Sequence, residues 1–322
     1  MMRISLSMCK QTVVLPDRAS GMLNLVDFFS PRRQKEKVVI LLGATGTGKS
    51  RLSIDLATRF PAEVINSDKI QAHEGLDIAT NKITEDERCG IPHHLLGVIN
   101  PNTDFTATNF VDMATHAMDS ILSRSQLPVI AGGSNSYIEA LVDDKDYRFR
   151  SKYECCFLWV DVAMPVLHHY VSERVDKMVE NGMVDEVRKY FDSNANYTRG
   201  IRKAIGVPEF DRYFRAEPLL DKQGRAKLLQ EAIQEIKRNT CKLACRQLEK
   251  IHRLRNKKNW KIHRLDATEV FLRRGKEADE AWEEFVAGPS TEMVAEFLYN
   301  VRSEALVTKA ARREYIAQCL VA

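Results

Sequence analysis

The sequence predicts an α/β protein with a mainly parallel sheet and a smaller helical lobe, and three observations carry that prediction. Apolar runs of strand length alternate with helix-like segments through the first half of the chain, the pattern of parallel βαβ units. A glycine-rich loop, Gly43-Ala44-Thr45-Gly46-Thr47-Gly48-Lys49-Ser50, joins the first such run to the first helical segment. Beyond about residue 165 the apolar residues recur at helical spacing with little strand pattern.

The strand-like runs are 38–42, 63–66, 128–131 and 155–162, each bounded by turn residues, with 260–265 a weaker fifth. After the first run, Leu52, Leu56, Ala57 and Phe60 fall on one side of a helix that Pro61 stops. Residues 107–122 and 166–190 also read as helix, the second broken at Asn181-Gly182. From 221 to about 257 the pattern Leu228, Leu229, Ala232, Ile236, Leu243, Leu248, Ile251 favours one long helix or an adjacent pair, and 290–320 is again helical. The expected divisions are an N-terminal extension (1–36), an α/β core (37–165), a mainly helical substrate lobe (166–259) and a return to the core with the weak fifth strand and terminal helices (260–322). Residues 101–104 and 143–152 read as loops, the second a possible hinge or lid.

At 44% hydrophobic and 29% charged, the 322 residues have a globular composition, neither disordered nor fibrous. The net charge of +4 does not by itself point to nucleic acid, although the basic run 237–264 suits phosphates, RNA or a solvated helix face. The seven cysteines are odd in number and mostly isolated, unlike a secreted disulfide framework. Cys155 and Cys156 read as small core residues. Cys241, Cys245 and His252 form the one imaginable metal set, and no second pair completes it. No apolar stretch approaches the ~18–20 residues that span a bilayer. The first 36 residues carry the Ser, Arg and Lys of an organelle transit peptide, against which Asp17, Asp27 and Glu36 count.

The glycine-rich loop sits between a strand and a helix, where its N–H groups can converge on phosphate oxygens at the helix N-terminus. Lys49 adds a positive charge and Ser50 a hydroxyl able to ligate Mg²⁺, which makes the core P-loop NTPase-like. In a parallel sheet the carboxyl end of the next strand faces the same crevice. Asp68 stands there, placed to accept a proton, to hold Mg²⁺ through water or to cap the following segment. The third strand leads into Gly132-Gly133-Ser134-Asn135-Ser136-Tyr137, where glycine admits close backbone approach and the polar side chains offer hydrogen bonds.

These residues, taken with 65–71, 75–82, Ile91-Pro92-His93-His94-Leu95-Leu96, Phe105-Thr106-Ala107, 200–206 and Cys245-Arg246-Gln247, resemble the isopentenyltransferases in motif and order from about residue 37 to 265. The resemblance implies transfer of a dimethylallyl group from dimethylallyl diphosphate to N6 of an adenine, with diphosphate as leaving group. It implies that Gly43, Ala44, Gly46, Thr47, Gly48 and Ser50 hold the donor's diphosphate with Mg²⁺ at Ser50, and that Lys49 stabilises the departing charge. On the same footing Thr45 would bond the bridging oxygen, Asp68 would take the N6 proton, and Arg202 would contact the diphosphate from the helical lobe. Ser67, Gln71, Ser134, Asn135, Tyr137, Lys203 and Lys258 are the candidates for the nucleotide. His93 and His94 occupy a family position with no assigned role.

Members divide by acceptor: some prenylate a tRNA anticodon-loop adenine, others a free adenine nucleotide on the way to cytokinins. The stretch 133–141 looks most like the plant adenylate enzymes, whereas tRNA members more often have G-G-T-G-x-Y. The favoured reading is therefore AMP, ADP or ATP as acceptor, no stable nucleic-acid partner, no membrane association, a monomer, and a plastid location with cytoplasm as the alternative. A tRNA-modifying enzyme is the second reading. A P-loop kinase or NTPase, with Asp161 as its Mg²⁺-ordering carboxylate, is the third.

Overall fold

Val38, Val39 and Ile40 are β-branched, which favours a pleated strand over a helix. In the computed structural model, which describes residues 35–144, 148–194 and 196–299, they lie in β1 (Glu36–Leu42). The loop 43–48 follows and leads into α1 (Lys49–Arg59), which ends where Phe60 turns extended ahead of Pro61. Then come β2 (Ala62–Asn66), the two-residue β3 (His93–His94), α2 (Ala107–Ser123) and β4 (Leu127–Ala131). Thr106 and Asn109 close a reciprocal capping box at the start of α2. The chain continues through α3 (Asn135–Val142), α4 (Phe149–Lys152), β5 (Tyr153–Asp161), α5 (Met164–Glu180) and α6 (Met183–Arg188). A short 3₁₀ turn, Gly200–Lys203, precedes α7 (Val207–Ala216) and the 35-residue α8 (Lys222–Asn256). β6 (Ile262–Asp266), α9 (Thr268–Leu272), α10 (Gly275–Trp282), a π turn at Glu283–Ala287 and α11 (Gly288–Tyr299) complete the described residues.

The strands form one parallel sheet in the order β3-β2-β4-β1-β5-β6. From β1 the chain passes to strands on one side and later crosses to β5 on the other, so the loop after β1 opens at a topological switch point. Alternate side chains of β1 feed two cores. Val39 and Leu41 join Leu52, Leu56, Leu158, Val171 and Trp282 on one face. Val38, Ile40 and Leu42 join Phe110, Met118, Ile138 and Trp159 on the other. A third cluster, with Leu76, Val175, Met183, Phe210 and Ile236, lies among the helices after β5 and the segment following β2. Helix α8 contributes to all three: Ile236 to the helical cluster, Ala244 to the first face, Ile251 and Leu254 to the second.

The five strand-like runs are strands here, with ends moved by one or two residues, and 221–257 is a single helix. β3 is additional. It is held by tertiary contacts, because His94 Nε2 lies 2.7 Å from Glu63 Oε2 and Arg124 makes a bidentate pair with the same carboxylate. Burial would raise the Glu63 pKa, but the bonds from His94 and Arg124 outweigh it and hold the carboxyl below its ordinary value. The 143–152 segment ends in α4, and its residues 145–147 lie outside the described residues, as do the 1–34 extension and the predicted helix beyond 299.

Trp282 is the main tie between the C-terminal region and α1. It is 3% exposed, donates from Nε1 to Asp55 Oδ2 at 2.6 Å, and carries the Arg51 guanidinium 4.7 Å from its ring centroid. Trp282→Ala is expected to destabilise the fold by about 3–5 kcal/mol, read as a lowered midpoint in urea unfolding.

Candidate active site

The glycines at 46 and 48 have φ of +85° and +96°, which L side chains rarely adopt. A Cβ on either would also collide, at 2.7 Å, with Val171 of α5 or with the Trp282 ring. The loop is thus clasped between α5 and α10. On its underside Thr47 Oγ1 and Lys49 Nζ donate to the Ala44 carbonyl at 3.0 and 2.7 Å. Gly43, Ala44 and Thr47 form this underside, while Thr45, Gly46, Gly48, Lys49 and Ser50 line a cleft of about 1820 Å³.

Thr45 is held on two sides. Its N–H donates to Gln247 Oε1 at 2.7 Å, and its hydroxyl accepts from Arg174 Nη2 at 3.0 Å. Arg174, which lines the cleft from α5, keeps its Nε buried without a partner, and burial depresses its pKa. Lys49 is 8% exposed; burial lowers its pKa to about 8, with Asp68 opposing the shift and Arg174 adding to it. A buried lysine and a half-buried arginine with unspent donors, beside loop N–H groups at a helix N-terminus, make a site for an anion.

The two oxygens of the Asp68 carboxylate stand in different surroundings. Oδ1 accepts from the Ile70 and Gln71 N–H groups at 2.9 and 3.4 Å, capping the segment after β2. Oδ2 has no donor among the described residues and faces Gly133, where a Cβ would stand 3.1 Å away. Asn66 fixes this turn by accepting from Asp68 N–H at 3.1 Å and donating to the carbonyls of Asp68 and Leu95. Opposite, Ser134 Oγ accepts from Lys69 N–H at 3.0 Å, and Asn135 donates to the Gln247 carbonyl at 3.1 Å while its Oδ1 stays buried and unpaired.

Gln71 and Lys203 also line the cleft but are already engaged. Gln71 Nε2 donates to the carbonyls of Thr80 and Asn81, at 3.0 and 3.1 Å. Lys203 Nζ lies 2.7 Å from Asp104 Oδ1. That bond and the Gly200 N–H, with Arg199, pull the Asp104 carboxyl down to about 2.

Four expected ligand contacts are placed elsewhere, three because other groups claim the side chain and one because it is buried off the cleft. Arg202 donates to Asn102 Oδ1 and does not line the cleft. Tyr137 is 8% exposed in the core and gives its hydroxyl to the Phe105 carbonyl. Lys258, at the far end of α8, pairs with Asp143 at 2.9 Å and Glu139 at 3.4 Å. Ser67 is buried with its backbone against Gly132, and its hydroxyl is unpaired and off the cleft. Asp161, the carboxylate of the NTPase reading, is bound at 2.7 Å by Arg264. His252 lies edge-on to Trp159, while Cys245 approaches His168 at 3.5 Å; among the described residues no cluster of three His, Cys, Asp or Glu could hold a metal ion.

The cleft contains cations that the sequence reading did not name as site residues. Arg174 is one, and its signal was a charge on the apolar stripe of Leu167, Val171 and Val175. Lys242, Arg246 and Lys250 are three more, spaced four apart on α8, lining the cleft with no acidic partner among the described residues.

Residues 71–151 and 143–257 match the family model described as IPP transferase. The chain belongs to the isopentenyltransferase family. Three Arabidopsis thaliana relatives are similar to it: adenylate isopentenyltransferase 3, chloroplastic, is 57% identical and covers 100% of this chain and 99% of the relative. Adenylate isopentenyltransferase 5, chloroplastic, is 60% identical over 85% and 84%, and adenylate isopentenyltransferase 7, mitochondrial, 50% identical over 93% and 91%. A eukaryotic dimethylallyltransferase acting on tRNA has the same fold, with a TM-score of 0.72 at 24% identity over 83% of this chain and 81% of that one. Membership of the isopentenyltransferase family agrees with a P-loop NTPase-like fold and disposes of the kinase reading.

Lys49 gives the site a pH signature. Its amine is half neutral near pH 8 in the free protein, and a bound anion raises its pKa. Anion affinity through Lys49 is therefore fully present below about pH 8 and declines above it. Titration with inorganic diphosphate between pH 7 and 9.5 should show native affinity falling relative to Lys49→Arg, by up to about tenfold per pH unit, because arginine stays charged.

Proposed function

We propose that this chain transfers the dimethylallyl group from dimethylallyl diphosphate to N6 of a free adenine nucleotide, releasing diphosphate, as a step of cytokinin formation. The observation that carries the reading is that the anion-holding loop and the free oxygen of Asp68 open onto one cleft. Relatives 50–60% identical over most of the chain are named adenylate isopentenyltransferases.

The donor's diphosphate lies on the loop N–H groups of residues 46–50, with Lys49 and Arg174 facing the oxygens that gain charge as the C1–O bond breaks. Thr45 Oγ1, already held by Arg174, is oriented toward the bridging oxygen. The adenine enters from the Gly133–Asn135 side, where Ser134 and Asn135 offer hydrogen-bonding groups. As N6 forms its bond to C1, Asp68 Oδ2 accepts the proton. An aromatic amine is a weak nucleophile, so close alignment contributes as much as the base. The nucleotide's phosphates run along Lys242, Arg246 and Lys250, in place of Lys258.

A Mg²⁺ ion fits the loop. The Ser50 residue opens on the cleft at the start of α1, and among the described residues no group of three His, Cys, Asp or Glu could cage a metal, which suits an ion that keeps several waters and binds through substrate phosphates. When bound it neutralises charge on the diphosphate. The chloroplastic naming of two relatives supports a plastid location, which a fluorescent fusion of the full chain would test; fluorescence confined to mitochondria or cytosol would contradict it.

Incubation with dimethylallyl diphosphate, Mg²⁺ and, separately, AMP, ADP, ATP or unmodified tRNA is expected to give an N6-prenyl product on free nucleotide, detected by mass. Product on tRNA alone would overturn the acceptor assignment. Asp68→Asn is expected to cut turnover by about 10²–10⁴-fold with donor affinity retained, whereas Lys49→Ala weakens donor binding.

A further inference from the structure

Gln247 lies at the meeting point of the two halves of this cleft. It is 7% exposed, on α8, and spends both ends of its amide on different loops. Oε1 accepts the Thr45 N–H at 2.7 Å, and Nε2 donates to the Gly133 carbonyl at 2.8 Å. Its own carbonyl accepts from Asn135 Nδ2 at 3.1 Å. Gly133 is pressed between this amide and the base: a Cβ there would sit 2.4 Å from Gln247 Nε2 and 3.1 Å from Asp68 Oδ2. Gly132 is pressed as closely against the backbone of Ser67 and Asp68.

Two consequences follow. The Thr45 N–H is spent on Gln247, so this amide of the loop faces protein, and the anion is left to the later N–H groups. The distance between the donor loop and the Gly133–Asp68 contact is set by one side chain from a third element. The side chain here must offer an acceptor and a donor together, since Thr45 presents a donor and Gly133 an acceptor; a neutral amide does so at any pH.

We infer that Gln247 is a positioning residue for prenyl transfer: it spans Thr45 and Gly133 so that the donor's C1 and the amine facing Asp68 are held in line. The inference rests on the transfer reading above. In the aligned site the C1–O bond breaks with its electron pair leaving on diphosphate, and N6 takes C1 and gives its proton to Asp68. With the two loops out of register, water takes C1 and loses a proton, giving dimethylallyl alcohol and diphosphate from the same donor.

The test is to measure, for the native protein, Gln247→Ala and Gln247→Glu, the ratio of dimethylallyl alcohol to prenylated nucleotide, with kcat, donor KM and Tm. Misplacement on the scale of 1 Å costs on the order of 100-fold in rate, so kcat for transfer should fall by about that factor in both variants. Donor KM should stay within about threefold, and the share of alcohol should rise. The glutamate variant adds a second readout. Ionised, it repels the Gly133 carbonyl; protonated, it reproduces the amide's donor and acceptor. Asp68 from the end of β2, Lys49 from α1 and Arg174 from α5 are the charged groups around this contact, and all remain in both variants. The ratio of Gln247→Glu to Gln247→Ala activity should therefore rise as pH is lowered from 8 to 5.5. Unchanged partition in both variants, or a loss of Tm and donor affinity without any change in partition, would overturn the inference. A native protein that makes no prenylated nucleotide would overturn the transfer reading and this inference with it.

Discussion

A lysine ammonium 8% exposed, whose one hydrogen bond at hand is to a neutral carbonyl 2.7 Å away, is a charge that the fold has partly stripped of water. Such a group is costly until an anion arrives, and the depressed pKa of Lys49 expresses that cost. Much of the cleft is arranged around it. The loop's left-handed glycines let backbone amides gather beside it, α5 and α10 press the loop from two sides, and Arg174 adds a second desolvated cation. Asp68 lies close enough to favour the charged lysine, yet its Oδ1 is committed to the capping turn. Acid and cation stay near one another without collapsing into an ion pair.

What could be read from the sequence followed how local each determinant is. The strands of a sheet covered on both faces are nearly continuous apolar runs, so β1, β2, β4 and β5 were legible, and with them the place of the glycine-rich loop between β1 and α1. β3 is two histidines pinned by a carboxylate and a guanidinium from other elements, which no local pattern announces. Tyr137 was misjudged because a polar run hid its place on α3, where it lies on the buried side with Ile138 and Leu141. Lys258 read as a contact for the nucleotide, but α3 and the residue after it supply Glu139 and Asp143 as its partners. Arg202 carried a family position, but its neighbour in space is Asn102.

The acceptor side of the site depends on a different kind of information. Lys242, Arg246 and Lys250 stand on one helical face, and the sequence shows them only as part of a basic run. They become a stripe along the cleft because α8 lies against α3 and α5, which turns that face toward it. The same helix has its apolar side chains in three separate cores, so its rotation about its own axis is fixed along its whole length.

That fixed rotation makes α8 a ruler with no slack. Each residue of a helix advances about 100° around the axis, as 3.6 residues per turn require. Between Ile236, anchored among the helices, and Leu254, anchored under the sheet, a single inserted or deleted residue would swing Gln247 away from Thr45 or pull a core residue into water. Heredity can therefore vary the letters of this segment far more freely than their number. Length changes in descendants of this gene should collect in the connections between elements, while the span from 236 to 254 is handed on intact.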